Sequence, residues 1–356
     1  MLVWGTAIVV GLVSCWATGR FARGQFQGIR LDVPNERSLH QVPTPRTGGL
    51  AVMGAFLLAV LALTLAGAFD RSDTGLYRVS SPGIWIGLIA AILTLVSLAD
   101  DRMNLPVIFR LGVQAGLVSV LVVGIDLTLP AIPLPSWGSL ALGPIAIPAS
   151  ILLLVWVTNL YNFMDGMDGF AGGMTVFGGS ALACLAWDAG DPVLPVFSLL
   201  LGTAAAGFLT HNFPPAKIFL GDAGSIPIGF VFGALMILGV REQVFDIWVP
   251  GMVFSPFIVD ATVTLIRRMV RGEKIWQAHR SHFYQRAVLL GWGHRRTVLG
   301  EYALMAVCAG LAALYQSGAE PQKLTVLMVW GAILVGLMAM ITVMERTEIR
   351  RQAVAG

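Results

Sequence analysis

Eleven uncharged or nearly uncharged stretches dominate this sequence, each close to the roughly twenty residues a helix needs to cross a bilayer. They lie near 2–19, 48–69, 83–99, 107–125, 143–160, 170–187, 192–210, 225–240, 247–266, 297–316 and 323–343. In lipid the backbone has no water to bond with, so stretches like these can only be helices. The composition agrees. Of 356 residues, 56% are hydrophobic and 12% charged, with a mean hydropathy of +0.78, whereas soluble domains are about a quarter charged. The expected fold is an all-α polytopic membrane protein of about eleven transmembrane helices, a single integral-membrane domain over 1–356. The first stretch does not read as a signal peptide, because Arg20 and Arg23 follow it instead of preceding it. Cys15, Cys184 and Cys308 each sit inside an apolar run without metal-ligand or redox spacing, and read as inert packing.

The basic residues orient this bundle. If the 20–47 connection is cytoplasmic, 19 of the 23 Lys and Arg fall on that side, eight of them between Arg267 and Arg296. Arg71, Arg78, Arg241 and Lys323 make up the other side. By the positive-inside rule the N-terminus is expected outside (periplasmic) and the C-terminus in the cytoplasm.

Five aspartates then gather at the cytoplasmic boundary: Asp100 and Asp101 in "LVSLADDRMNLP", Asp165 and Asp168 in "NLYNFMDGMDGFAGG", and Asp222 in "KIFLGDAGSIPIGF". Ionisable groups against apolar spans are costly, and several on one side point to a functional cavity more than to helix capping. In the second motif Asn159, Asn162, Asp165 and Asp168 recur every three residues, so the first three are expected near one helical face. The alternating ligands and closing Glu of a calcium loop are absent. "GDAGS" precedes a helix whose N-terminus, with Ser225 as its expected cap, suits a phosphate. Asp222 beside it is the candidate metal residue, since Mg²⁺ typically takes one or two carboxylates plus substrate phosphates. No GxxxxGK[ST] is present. Asp100 and Asp101 diverge by about 100° on a helix. One is expected to face the site as a general base, and the other to turn toward Arg102 or water.

Two long connections complete the set. "WQAHRSHFYQRA" holds His279, Arg280 and His282, with Tyr284 and Arg286 close by. Without HExxH or a nearby cysteine it does not read as a zinc site. It suits substrate phosphates, the alternative being a basic loop against anionic lipid. "DVPNERSLHQVPTPRTGG" supplies Arg37, His40 and Arg46.

Together, "DVPNERSLHQVPTPRTGG", "LADDR", "NLYNFMDGMDGFAGG", "HNFPPAKIFLGDAGS" and "HRSH" resemble, in order and over nearly the whole chain, the polyprenyl-phosphate N-acetylhexosamine-1-phosphate transferases. The resemblance implies transfer of an N-acetylhexosamine-1-phosphate from a UDP-sugar to undecaprenyl phosphate, releasing UMP and requiring Mg²⁺, with Mn²⁺ as a substitute. It implies Asp222 as the metal ligand, Asp100 and Asp101 as the acidic pair, and Asn162, Asp165 and Asp168 as the central motif, with Asp100, Asp101, Asp165 and Asp168 catalytic. Asn212 falls on the nucleotide side, while His279 and His282 form the cytoplasmic histidine loop. Arg46, His40, Asn159 and Arg280 join the substrate-binding set. The implied setting is the bacterial inner membrane, with no nucleic acid partner and with a homodimer compatible. Two departures stand out. Asn104 occupies a position where relatives often carry Asp or Lys, and "HRSH" lacks the three consecutive histidines of the muramoyl-pentapeptide transferases. "AHRSHFYQ" resembles instead the branch that starts O-antigen and other surface polysaccharides. The competing readings are a peptidoglycan-precursor transferase and an ion-coupled transporter. The latter fits poorly, because the acids sit at one face and no inverted second half mirrors them.

Overall fold

The computed structural model describes residues 1–24, 31–34, 39, 42–69, 82–103, 105–188, 192–274 and 279–355. Apolar stretches become helices throughout. In chain order the elements are α1 (Leu2–Ala22), the two-residue strands β1 (Leu31–Asp32) and β2 (Thr44–Pro45), α2 (Gly48–Leu65), α3 (Pro82–Met103) and α4 (Val107–Gly124). Then follow the hairpin strands β3 (Ala131–Leu134) and β4 (Gly138–Ala141), α5 (Ala146–Phe163), α6 (Phe170–Leu185), α7 (Val193–Asn212) and α8 (Asp222–Arg241). The chain ends with α9 (Trp248–Val253), α10 (Ser255–Val270), the short α11 (Phe283–Ala287), α12 (Gly293–Ser317) and α13 (Glu320–Ala355). Among the described residues, nine helical segments are long and apolar enough to cross a membrane. This is an all-α, multi-pass membrane protein.

Two expected spans take a different form. The 170–187 stretch forms α6, only 16 residues long. The 247–266 stretch is not one helix, because α9 and α10 break at Phe254. Pro256 causes the break, since its ring has no N–H and displaces the carbonyl one turn earlier. Ser255 Oγ donates to that Met252 carbonyl instead, at 2.7 Å.

Every residue of α8 from Ala223 to Val240 is buried. Its sequence is apolar on all sides, so it forms the core, packed by α2, α3, α5 and α7. Helices in lipid approach closely where small residues meet. At the start of α8 the contact is Gly49 against Gly224, where a Cβ on either would collide with the other's backbone. The chain before α2 is knitted to the chain before α8: Phe219 N donates to Pro45 O (2.7 Å), Gly48 N to Phe219 O (2.9 Å) and Gly49 N to Leu220 O (2.8 Å). Residues 46 and 222 are thereby fixed side by side.

The far end of α8 is a separate region. There Arg241 Nη1 donates to Ile125 O (2.9 Å), Trp248 Nε1 to Pro133 O of the hairpin (2.7 Å) and Ser136 N to Glu320 (3.4 Å). Arg241 belongs to the sparse side of the charge count, whereas the aspartates lie at the other end of the same helix.

Candidate active site

Asp222 opens α8, where the helix dipole favours a carboxylate. Three helix ends and one connection converge on it. Arg46 Nη2 lies 3.0 Å from Asp222 Oδ1 and 3.3 Å from Asp101 Oδ1. Arg110 Nη1, from the first turn of α4, lies 2.6 Å from Asp100 Oδ2 and 3.6 Å from Asp222 Oδ2. Asn162 Nδ2, in the last turn of α5, donates to Asp222 Oδ1 (3.1 Å) and to Ser225 Oγ (2.9 Å). Asp100 also accepts from Leu105 N at 2.7 Å, which closes the turn after α3. Burial opposes the charge on Arg46. Asp222, Asp101, Asp32 and Asp165 outweigh it and raise its pKa.

Asp165 completes the cluster from a different backbone. Helix α5 ends at Phe163, so Asp165 does not continue the face of Asn159 and Asn162. The loop carries it to Gly221, whose N–H donates to Asp165 Oδ2 at 3.2 Å. Gly221 has φ +73° and lies so close to Arg46 O that a Cβ would strike it, so glycine is required here. Asp165 keeps some solvent exposure. Even so, burial and the neighbouring Asp222 carboxylate push its pKa up to about 8, against the Gly221 N–H and Arg46. The sign of the effect on stability follows. Folded Asp165 holds its proton where the unfolded group, near 3.8, has lost it. Relative to Asp165→Asn, the wild-type protein should lose stability progressively from about pH 4 to about pH 8 and be offset by a constant amount above that. Thermal unfolding in detergent across this range checks it. A pH-independent gap would mean that Asp165 is not held protonated.

The remaining predicted residues are distributed unevenly. Asp168 accepts from Ala216 N (3.0 Å), and its other oxygen lies 3.1 Å from His294 Nδ1 at the start of α12. It braces the loop and has no ion pair with Arg46 or Arg110. Asn212 is buried, accepting from Gly169 N (2.9 Å) and donating to Ile218 O (2.8 Å). These two bonds tie Gly169 to Ile218. Asn159 sits a turn deeper and donates to Gln114 Oε1 (2.7 Å) and Val155 O (2.8 Å), outside the carboxylate cluster. His40 and Asn104 lie outside the described residues.

The histidine loop is docked by an aspartate that the motif reading overlooked. Asp260 accepts from Phe283 N (2.9 Å) and Tyr284 N (3.0 Å), and lies 3.2 Å from His282 Nδ1. His279 stacks near His282, with ring centroids 4.9 Å apart, and its Nδ1 lies 2.9 Å from Ser281 Oγ. Burial, then His282 and Arg268, lower the His279 pKa to about 4, so it is neutral at pH 7. Tyr284 OH donates to Phe163 O at 3.4 Å, tying the loop to the end of α5. Arg280 is exposed and lines a cavity with Arg267, Arg268, Arg271 and Arg286, apart from Asp222.

Other expectations change in detail. Ser225 does not cap α8. Gly221 stands at the cap position without a side-chain bond, and Ser225 donates back to Gly221 O (3.2 Å) while accepting from Asn162. Asp101 pairs with Arg46, so both acids of the pair meet the cluster. Arg110, Asp260 and His294 were missed. Asp260 is a lone acid in "PFIVDATVTLI" and Arg110 a lone cation in "VIFRLGV", each signalled by its apolar surroundings.

The donor chemistry suits a divalent cation. Three carboxylates (Asp100, Asp101 and Asp222) share two guanidiniums, and Asp165, its pKa raised first by burial and then by Asp222, stands next to them. Among the described residues no three Asp, Glu, His or Cys side chains are grouped to hold a metal on their own. Asp222 and Asp165 could supply the one or two carboxylates that Mg²⁺ usually takes, leaving its other positions to substrate phosphates and water.

Comparison with known proteins matches this arrangement of motifs. The sequence profile for glycosyl transferase family 4 matches residues 84–240, which include Asp100, Asn162, Asp165 and Asp222. A probable undecaprenyl-phosphate N-acetylglucosaminyl 1-phosphate transferase of Bacillus subtilis is 32% identical over 278 residues, 77% of this chain and 74% of that protein. The chain belongs to glycosyl transferase family 4. Within this family a decaprenyl-phosphate N-acetylglucosaminephosphotransferase of Mycobacterium tuberculosis is 30% identical over 367 residues, covering 96% of this chain and 89% of that one. A phospho-N-acetylmuramoyl-pentapeptide-transferase of Moorella thermoacetica is 30% identical over 307 residues, 81% of this chain and 89% of that one. Family membership makes the protein a membrane-embedded phosphotransferase and removes the transporter reading.

Proposed function

We propose that this family 4 member transfers an N-acetylhexosamine-1-phosphate from a UDP-sugar to undecaprenyl phosphate at the cytoplasmic face of the bacterial inner membrane. The reaction would begin an O-antigen or another surface polysaccharide. The observation that carries the proposal is the Asp222 cluster, a carboxylate at a helix N-terminus held by two arginines at the ends of apolar helices. A lipid phosphate and a water-soluble nucleotide can meet only at such a boundary. A phosphate oxygen of the lipid forms a bond to the sugar-bearing phosphorus, and the bond from that phosphorus to the bridging oxygen breaks. UMP leaves with that oxygen. Bound Mg²⁺, held by Asp222 with Asp165, would neutralise charge on the diphosphate. Asp100 or Asp101 accepts the proton of the attacking phosphate, while Arg46 and Arg110 fix those carboxylates and draw the phosphates in. His279, neutral at pH 7, would meet the donor as a hydrogen-bonding group, on a loop that His282 and Asp260 hold in place. Asn162 holds Asp222 in register.

The donor is the first test. Purified protein given undecaprenyl phosphate should release UMP from a UDP-N-acetylhexosamine such as the GlcNAc, QuiNAc or FucNAc form. With UDP-MurNAc-pentapeptide, turnover should be lower by about a hundredfold or more, because a pocket excludes an added bulky group. Mass spectrometry of the lipid product separates the outcomes. Efficient use of the pentapeptide donor would move the chain to the peptidoglycan branch and overturn the polysaccharide assignment.

Orientation is tested separately. A cysteine introduced at Asp188 should react with an impermeant thiol reagent added to intact spheroplasts. Cysteines between residues 267 and 296 should stay protected. The reverse pattern would put the cluster on the wrong side for a cytoplasmic nucleotide sugar.

A further inference from the structure

We infer that a second anion site, for a phosphate-bearing ligand, lies between the end of α10, α11 and the C-terminal part of α13. The cavity there measures about 500 Å³. Five arginines line it (Arg267, Arg268, Arg271, Arg280 and Arg286), against Glu345 and Glu348. None of the clustered carboxylates Asp100, Asp101, Asp165 and Asp222 belongs to its wall. The short helix α11 separates the two regions. Tyr284 reaches back to Phe163, whereas Arg286, two residues on, bonds Thr342 Oγ1 (3.3 Å) and Glu345 of α13.

Like charges crowd together here without a matching set of acids. Arg268 and Arg286 are only 8% and 5% exposed. Both are anchored on one side: Arg268 by Glu273 (2.9 Å) and Lys274 O (3.0 Å), Arg286 by Glu345 and by the Phe283 ring 4.7 Å away. Each nevertheless keeps one buried N–H group without an acceptor, Nε in Arg268 and Nη1 in Arg286. A buried guanidinium donor left unpaired is costly, and both belong to arginines that line one positively charged cavity, whose five guanidiniums against two glutamates favour an anion from outside the protein. Phosphate oxygens match the guanidinium fork in geometry and charge. Because these side chains are already anchored, a ligand would be bound with little further ordering.

The surroundings favour a phosphate attached to hydrocarbon. Leu289 and Leu290 form the apolar part of the wall, and Leu289 is 55% exposed. On α13 the apolar run gives way to Glu345, Arg346 and Glu348 at this level. That transition is where a bilayer places its phosphates. A phospholipid headgroup and a soluble phosphate share the recognised chemistry, and experiment can separate them.

Full-length protein is delipidated in neutral detergent and offered phosphatidylglycerol or phosphatidylcholine, with retained lipid read by native mass spectrometry. Inorganic phosphate and pyrophosphate are tested as stabilisers in parallel. Wild-type protein should retain phosphatidylglycerol in preference to phosphatidylcholine. Arg271→Gln combined with Arg267→Gln, on the outer wall, should weaken retention about tenfold, as expected for loss of one or two charge-assisted hydrogen bonds. Glu345→Gln, which frees Arg286, should strengthen it. Asp222→Asn should leave it unchanged, which separates this site from the proposed catalytic one even if the reading of the reaction is wrong. Stabilisation by inorganic phosphate that depends on Arg271, without lipid preference, would uphold the site and identify its ligand as soluble. The inference fails if neither class binds preferentially, if the outer-wall arginines can be removed without effect, or if Asp222→Asn abolishes binding.

Discussion

Asp222→Asn should reduce transfer by about a thousandfold, the scale of losing a principal electrostatic element of a phosphoryl-transfer site. The asparagine is isosteric and can still meet Asn162 and Arg46, so the variant should remain folded and monodisperse in detergent. The defect should lie in charge. Arg46 and Arg110 would lose the carboxylate they share, at 3.0 and 3.6 Å, and a divalent cation would lose its anionic ligand next to the diphosphate. Titrating Mg²⁺ at saturating substrates separates the explanations. Near-normal turnover at limiting Mg²⁺ would exclude Asp222 as the metal residue, whereas partial recovery at high Mg²⁺ would indicate weakened affinity with the remaining ligands intact.

The sequence revealed the chemistry of this site better than its connections. Helices were legible because lipid allows few alternatives: a charge-free run of adequate length has to satisfy its own backbone. The aspartates were legible because an acid beside such a run is costly without a purpose. Partners were not legible. Arg46 and Asp222 are 176 positions apart and meet because residues 45–49 hydrogen-bond to residues 219–220, a contact without a local signature. For the same reason Asp101 looked free to pair with its neighbour Arg102, whereas the fold gives it Arg46. Helix periodicity placed Asp165 on the face of Asn162, but the helix ends two residues earlier and a loop decides where that carboxylate goes. Asp260 had the same signal as the five acids singled out, a charge within an apolar run, but stood alone, with neither a second acid beside it nor a glycine-rich motif around it. Its function is to hold the backbone of the histidine loop.

The second large effect is expected at Arg46. Two carboxylates from different helices depend on one guanidinium there, and the environment of Asp222, Asp101, Asp32 and Asp165 keeps that group charged despite its burial. Arg46→Ala removes the bridge and leaves the acids facing each other across a partly enclosed space. They would then take up protons to relieve the repulsion, and the cluster would lose the charge that its chemistry requires. A fall in kcat/KM of about a hundredfold is expected at neutral pH. Because the lost charge returns when the acids ionise, the variant's pH–rate profile should shift to higher pH, with part of the deficit recovered in alkaline buffer. Arg46→Lys should rescue part of the loss, because the single nitrogen Nη2 makes both carboxylate contacts and an ammonium can take its place, although on a shorter and more flexible stem. A deficit equal at every pH, or a lysine variant no better than alanine, would mean that the charge held between Asp101 and Asp222 is not what the cluster needs from Arg46.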